Sequence, residues 1–337
     1  MSDKLISVVV PCYNESRTIE ESLLSIINQK IPNDQIEIFV IDGMSTDGTR
    51  DILCKVAKRY NNFTIIDNVT GKTPVARNLG VKKSIGKYIA ILDAHTVYGS
   101  DYLKNCIDVL ESRDDIVCTG CPYISRGITT FGNATALAMS HPFGIGNAKH
   151  RYPTYEGFAE GAAFPVYRRE VFEEVGLFDE RLLRNQDDEF NFRLRRKNLK
   201  VYITPKNNCI YYVRETPNKL FRQYFEYGFW RVAVLFKHKI PISVRQVVPA
   251  LFITGIFLSG LTGLFLGQQQ LYLSLLIPIL YIVSLLMISV PVIFKSGFKT
   301  GFLFIYSISI LHTSYGLGFI KGLLSKDTRI NDKELHI

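Results

Sequence analysis

Residues 6–29, ISVVVPCYNESRTIEESLLSIINQ, set a strand and a helix in direct succession. Residues 6–10 form an apolar run that Pro11 ends, and from Ile19 onward Leu23, Ile26 and Ile27 fall at helical spacing on one face. Residues 36–53, IEIFVIDGMSTDGTRDIL, repeat the plan with a strand over 36–41, an Asp/Gly/Ser turn and a helix starting near Thr46 to Thr49. A third strand is expected in NFTIIDN (62–68), then a helix over 73–84 and a fourth strand in KYIAILDAHT (87–96). Four such alternations call for an α/β domain with a mostly parallel sheet, whose ligands bind where the carboxyl ends of the strands face the loops.

Beyond residue 115 the regularity fades. Residues 143–180 are rich in Gly and aromatics and contain a helix expected around 168–175. NQDDEFNFRLRRKN (185–198) reads as a charged helix, with Phe190 and Leu194 one turn apart, and KVYIT (200–204) and NCIYYVR (208–214) read as short strands. Residues 217–239, PNKLFRQYFEYGFWRVAVLFKHK, form an amphipathic aromatic and basic helix that either lies on a membrane surface or packs on the soluble domain.

The 47% hydrophobic content of the 337 residues is ordinary, but its placement is not. Between Gln246 and Phe294, and again between Thr300 and Ile320, there is no Asp, Glu, Lys or Arg. About three membrane spans are therefore expected, over 247–267, 271–294 and 301–320. The third, which carries His312 with several Gly, Ser and Thr, also suits a re-entrant or interfacial segment. Residues 1–200 hold 26 basic and 26 acidic side chains, whereas 201–337 hold 14 and 5 and account for the whole +9. These basic residues flank apolar runs and form no separate patch, which fits lipid headgroups and orientation and argues against nucleic acid as a partner.

The expected organisation is a catalytic domain over 1–216, an amphipathic interfacial region over 217–245, a transmembrane region over 246–320 and a charged tail over 321–337. The apolar run of MSDKLISVVV is too short for a signal peptide, so an integral membrane protein with a cytosolic front half is expected. Lys295 and Lys299 place the second connection in the cytosol, while Lys321, Lys326, Arg329 and Lys333 draw the tail to the same side, against an odd number of spans. Six scattered cysteines lack framework spacing and read as reduced thiols; Cys118-Thr119-Gly120-Cys121 reads as strand-end packing in the absence of a second pair.

Asp93 and His95 stand at i and i+2 where the fourth strand ends, so both side chains can project to one side. Carboxylate oxygen and imidazole nitrogen suit Mn²⁺ or a related divalent ion, which in turn screens a diphosphate. Asp42-Gly43 and Asp47-Gly48, taken alone, read as turns.

The series VVVPCYNESRTIEESLLSI, VIDGMSTDGT, GKTPVARNLG, ILDAH and RNQDDEFNFRL resembles the motifs of inverting family-2 glycosyltransferases with the GT-A fold. The similarity covers about residues 5–235 and is greatest to bacterial members of succinoglycan-type exopolysaccharide assembly, with a cytosolic catalytic domain and C-terminal membrane spans. The resemblance implies that Pro11, Tyr13 and Glu15 line the nucleotide base and ribose, that Asp42 hydrogen-bonds the base, and that Arg77 and Asn78 approach the donor phosphates. Asp93 also contacts the nucleotide sugar and, with His95, fills the metal position for Mn²⁺ or Mg²⁺ as DxH in place of DxD. Asp187 matches the catalytic base, with Asp188 as a rival; Gln186 stands where the family pattern has Glu. Glu160, Gly161 and Ala162 match the loop beneath donor sugar and acceptor. The Gln-x-x-Arg-Trp motif of processive synthases is missing, because Trp230 precedes Arg231.

The activity so implied is transfer from a nucleotide sugar, UDP-linked, to a lipid-linked glycan acceptor, with membrane lipid as a further partner. Two alternatives stand beside it: transfer directly to a polyprenyl phosphate, as in dolichyl-phosphate mannose synthases, and a catalytically inactive membrane scaffold.

Overall fold

Four strand–helix units open the chain: β1 (Ile6–Cys12), α1 (Ile19–Ile27), β2 (Ile36–Asp42), α2 (Thr49–Ala57), β3 (Phe63–Asp67), α3 (Thr73–Lys83), β4 (Tyr88–Ile91) and α4 (Tyr102–Ser112). They are followed by β5 (Ile116–Cys121), β6 (Tyr123–Arg126), α5 (Thr130–Met139) and α6 (Pro142–Ile145). Next come β7 (Gly157–Ala159), β8 (Ala163–Arg168), α7 (Glu170–Val175), α8 (Gln186–Arg196), β9 (Lys200–Ile203) and β10 (Cys209–Tyr212). Four long helices follow, α9 (Pro217–His238), α10 (Val248–Leu266), α11 (Gln268–Ser296) and α12 (Phe298–Leu324). The computed structural model describes residues 4–146, 148–206, 209–240, 246–266 and 268–329, with backbone alone at 257, 260–266 and 268–274. The chain forms two compact units, one of residues 1–124 and 149–211, the other of residues 125–148 and 212–337.

The first unit is built on an eight-stranded sheet in the order β3-β2-β1-β4-β8-β5-β9-β7. β1, β2, β3 and β4 are mutually parallel, as are β5 and β9, while β8 and β7 run antiparallel to their neighbours. Both faces of the sheet are covered. Ile6, Val8 and Val10 enter a core with Leu23, Ile26 and Tyr102, whereas Val9 joins Ile41, Ile89, Ile91 and Phe190 on the other side. Each such burial stabilises by roughly 1.5–3 kcal/mol, which is why a strand with apolar residues on both faces belongs here.

β1 continues one residue beyond the proline expected to end it. Val9 faces β4, whose ladder ends there with Leu92 N–H donating to the Val9 carbonyl at 2.9 Å. Pro11 points the same way, past the end of β4, so its missing N–H leaves no gap; on the other side β1 stays in register with β2 as far as Cys12 and Asp42. The chain also reverses its direction across the sheet at β1, running out to β2 and β3 and back to β4. A crevice therefore opens at the carboxyl ends of β1 and β4.

The second unit is helical, and it takes residues 125–148 away from the contiguous catalytic domain expected over 1–216. α5 escapes the sequence pattern because TFGNATALAM has no apolar stripe. It forms because Thr129 caps it, accepting from Gly132 N–H at 3.0 Å, and because it packs on α12, where the Thr135 and Ser307 hydroxyls meet at 3.1 Å. α9 lies along α12 so closely that glycines mark the contact. A Cβ at Gly228 would come within 2.1 Å of the Tyr315 carbonyl oxygen, and one at Gly318 within 2.1 Å of that of Phe225.

The segment expected over 301–320 is part of a continuous 27-residue helix, α12. His312 is accommodated by two hydrogen bonds: its Nε2 donates to the Phe143 carbonyl at 2.9 Å, and its Nδ1 meets the Tyr281 hydroxyl at 3.0 Å. Among the described residues two helical stretches, Leu275–Ser296 and Phe298–Leu324, are long and apolar enough to cross a membrane. The span expected over 247–267 falls on α10, part of whose side chains lie outside the described residues, as do tail residues 330–337.

Candidate functional site

The crevice is walled on one side by two loops laced together. In the loop after β1, Asn14 Oδ1 accepts from Thr46 N–H at 2.8 Å, and Asn14 N–H donates to Ser45 Oγ at 2.9 Å. Glu15 N–H donates to Thr49 Oγ1 at 2.8 Å, and Ser16 N–H to Asp47 Oδ2 at 3.1 Å. Asp47 is thus held by hydrogen bonds, first from the Thr49 hydroxyl, which keep its carboxyl well below the usual range. Asn14 and Met44 pay for this geometry with φ of 54° and 64°. Asp42, expected at the base, is buried behind Gly43: Oδ1 accepts from Ser45 N–H and Oγ, and Oδ2 pairs with Arg50 at 3.2 Å. Both oxygens are committed to the loop, and Asp42 does not line the crevice.

Within the crevice is a cavity of about 340 Å³. Pro11, Tyr13 and Glu15 line it from β1, Asp93 and His95 from the end of β4, and Arg77 from α3. The backbone of Asp93 is fixed on both sides. Its N–H donates to Tyr98 Oη at 2.8 Å and its carbonyl accepts from Ser22 Oγ at 3.1 Å. Its carboxylate and the His95 imidazole make no hydrogen bond or ion pair among the described residues, so two metal-compatible side chains face the cavity uncommitted.

Opposite them stands the amino end of α3, where Thr73 and Ala76 join the lining and Pro74 occupies the first turn. The Arg77 guanidinium lies 5.3 Å from the centroid of the Phe178 ring, and its Nε is buried with no hydrogen-bond partner among the described residues. Asn78, the next residue, turns the other way. It donates to the Phe178 carbonyl at 2.9 Å and to Glu180 at 2.8 Å and accepts from Phe178 N–H at 3.0 Å, so it anchors the 178–180 segment outside the cavity. Cys12 also lines the cavity; burial, then the carboxylates of Asp42 and Glu15, push its thiol up to about 12 and keep it neutral.

Asp187 and Asp188 occupy the first turn of α8, where carboxylates favour the helix dipole; Asp187 is exposed and accepts from Asp188 N–H at 2.9 Å. Neither belongs to the cavity lining. Asp187, Asn191 and Arg195 succeed one another at i+4 and so share one face of α8. The two lower members hold the loop expected beneath the sugar. Arg195 Nη1 donates to the Glu160 carbonyl at 2.7 Å, and a Cβ at Gly161 would come within 2.6 Å of Asn191 Nδ2. Ala162 follows, packed on the apolar face that includes Phe190. Buried Glu189 accepts from Arg193, which also donates to the Val175 and Leu177 carbonyls, tying α8 to the chain after α7. Tyr167 on β8 lies within electrostatic reach of Arg77 and Asp187, and burial raises its phenol well above the ordinary value. Sequence reasoning passed over the clamps Asn191 and Arg195, though their spacing from Asp187 was readable, and also Arg184, which lines the cavity three residues before Asp187.

The cavity thus combines an open carboxylate–imidazole pair, an arginine at a helix amino end, and an aromatic ring, Tyr13, at the mouth. That set can take up a diphosphate with a planar base attached. Residues 7–176 match the family model described as glycosyl transferase family 2. The succinoglycan biosynthesis protein ExoA of Rhizobium meliloti is 32% identical over 74% of this chain and 76% of its own. A dolichyl N-acetyl-alpha-D-glucosaminyl phosphate 3-beta-D-2,3-diacetamido-2,3-dideoxy-beta-D-glucuronosyltransferase of Methanococcus voltae is 25% identical over 95% of this chain and 97% of its own. Among solved structures, the mannosyltransferase PcManGT of Pyrobaculum calidifontis, in complex with GDP-Man and Mn²⁺, superposes with a TM-score of 0.64 at 17% identity, over 95% of this chain and 87% of that one. On its motifs, its sheet and these relatives, the chain belongs to glycosyl transferase family 2 and is a GT-A glycosyltransferase of glycan biosynthesis.

Proposed function

We propose that this glycosyltransferase is membrane-anchored and inverting, and that it moves a sugar from a UDP-linked donor to a saccharide carried on a lipid phosphate. The observation that carries the reading is the convergence of Arg77, Asp93 and His95 on one cavity at the carboxyl ends of β1 and β4. Asp93 and His95 would hold a divalent ion, and the imidazole favours Mn²⁺ over Mg²⁺. When bound, that ion supplies positive charge for the leaving diphosphate. Tyr13 and Pro11 bind the base and ribose, and Arg77 with the amino end of α3 binds phosphate. Asp42 acts on the base only indirectly, by fixing the loop through Ser45 and Arg50.

Asp187 takes the proton from the acceptor hydroxyl as that oxygen attacks the anomeric carbon, while the loop at 160–162 beneath the sugar is held by the same helix. Direct displacement makes an α-linked donor yield a β-linked product. The lipid-borne acceptor is supported by the likeness to the Methanococcus voltae enzyme, whose name gives a dolichyl-linked acceptor. The anchor is supported by α11, which leaves large apolar side chains such as Met287 and Phe294 69% and 87% exposed.

The test is transfer in detergent with a panel of UDP- and GDP-sugars, Mn²⁺ against EDTA, and wild type beside Asp187→Asn. Metal-dependent turnover of one UDP-sugar is expected, lowered roughly 10²–10⁴-fold by the substitution with donor binding retained. Near-normal turnover of Asp187→Asn would favour direct transfer to a polyprenyl phosphate, whose acceptor oxygen needs no base. Failure to bind any nucleotide sugar would leave only the scaffold.

A further inference from the structure

Arg184 carries the inference, which rests on the donor site proposed above. The cavity lining holds two carboxylates, Glu15 and Asp93, and two guanidiniums, Arg77 and Arg184, so its fixed charges cancel apart from His95. With a divalent ion on Asp93 and His95 the lining would carry two net positive charges, balancing the two negative charges of a nucleoside diphosphate sugar. Without Arg184 half of that match is lost.

The segment that presents Arg184 is anchored on both sides. Arg181 makes a bidentate pair with Asp179 at 2.9 and 2.8 Å, Leu182 is fully buried, and Asn185 is buried in the left-handed conformation at φ 60°. The position of the Arg184 backbone is therefore set by its neighbours, and less freedom is lost when the guanidinium meets a ligand. Asp187 stands three positions after Arg184, a span of at most about 10 Å. In a direct displacement the base and the leaving oxygen stand on opposite sides of the anomeric carbon, and this short segment brings a base to one side and a cation to the other.

We propose that Arg184 binds the β-phosphate of the donor and stabilises the departing nucleoside diphosphate. As the acceptor oxygen bonds to the anomeric carbon, its proton passes to Asp187. The bond from that carbon to the β-phosphate oxygen breaks with its electron pair on the oxygen, where Arg184 supplies charge-assisted hydrogen bonds.

The test uses full-length Arg184→Gln and Arg184→Lys in detergent, with titration calorimetry of UDP and UMP, steady-state turnover and thermal midpoints. Arg184→Gln is expected to weaken UDP binding by about tenfold or more while leaving UMP binding unchanged, and to lower kcat by roughly 10²-fold. Arg184→Lys, which keeps the charge and loses the fork, should recover part of the UDP affinity. An unchanged ratio of UDP to UMP affinity overturns the assignment. So does an equal loss of both ligands accompanied by a fallen midpoint, since that marks a purely structural arginine. If wild type binds neither nucleotide, the donor-site reading itself fails and the assignment falls with it.

Discussion

Gly80 is where α3 meets β1 most tightly, and Gly80→Ala tests whether that contact sets the position of Arg77. A Cβ at Gly80 would lie 2.2 Å from Val9 Cγ1 and 2.7 Å from Cγ2, against 3.4 Å for the onset of ordinary contact. α3 must therefore retreat from β1 by about 1.2 Å, and Arg77, one turn earlier on the helix, retreats with it. Overpacking of this size costs about 1–3 kcal/mol, of which the better helix propensity of Ala offsets up to about 1 kcal/mol. A displacement near 1 Å in a positioning group costs on the order of 10²-fold in kcat/KM. The assay pairs thermal midpoints with donor turnover for Gly80→Ala, Val9→Ala and the double variant. Val9→Ala removes both clashing methyls at about 1.5 kcal/mol of its own, so the double variant should regain most of the lost turnover. Wild-type turnover in Gly80→Ala, or no recovery in the double variant, would refute the claim that this contact places Arg77.

Two further outcomes follow from the packing and the titrations. Gly318→Leu should lower the midpoint of the detergent-solubilised protein by separating α9 from α12, because any Cβ there meets the Phe225 carbonyl oxygen at 2.1 Å; an unchanged midpoint would deny that the two helices touch. Cys12, with its thiol raised from 9.0 to about 12, stays protonated in the folded protein while the unfolded chain ionises above pH 9. Its contribution is intact below pH 9 and falls as pH rises toward 12, by at most about 1.4 kcal/mol per pH unit. Midpoints of wild type and Cys12→Ala between pH 8 and 10.5 should therefore converge or cross in the direction that favours the variant.

The sheet was legible because its strands are predominantly apolar and are closed by Asp, Gly and Pro at the right intervals; β2 differs from its expected span only at Asp42. Asp93 and His95 were legible because a strand end directs i and i+2 to one side. Asp42 was harder. From the chain it is a carboxylate at a strand end like Asp93, and only the folding of two loops shows that Ser45 and Arg50 have claimed one and not the other. Asn78 misled for the same reason, since its partners Phe178 and Glu180 lie about a hundred residues away. α5 was missed because its stability comes from a threonine cap and polar contacts to α12 and not from amphipathic spacing. The aromatic helix α9 was weighed between a lipid surface and the soluble domain, yet its glycine sits against α12, a contact that local pattern cannot express.

The lacing of the two loops beside the cavity separates what this enzyme can vary from what it cannot. Backbone N–H groups at Asn14, Glu15, Ser16 and Thr46 each serve a side chain of the opposite loop, so a change in one is felt in both. The 160–162 loop rests instead on two side chains of α8, Asn191 and Arg195, and can be rebuilt without touching that network. If the proposed site holds, engineering a new sugar preference has its natural entry at residues 160–162, with the laced loops kept as a constant handle.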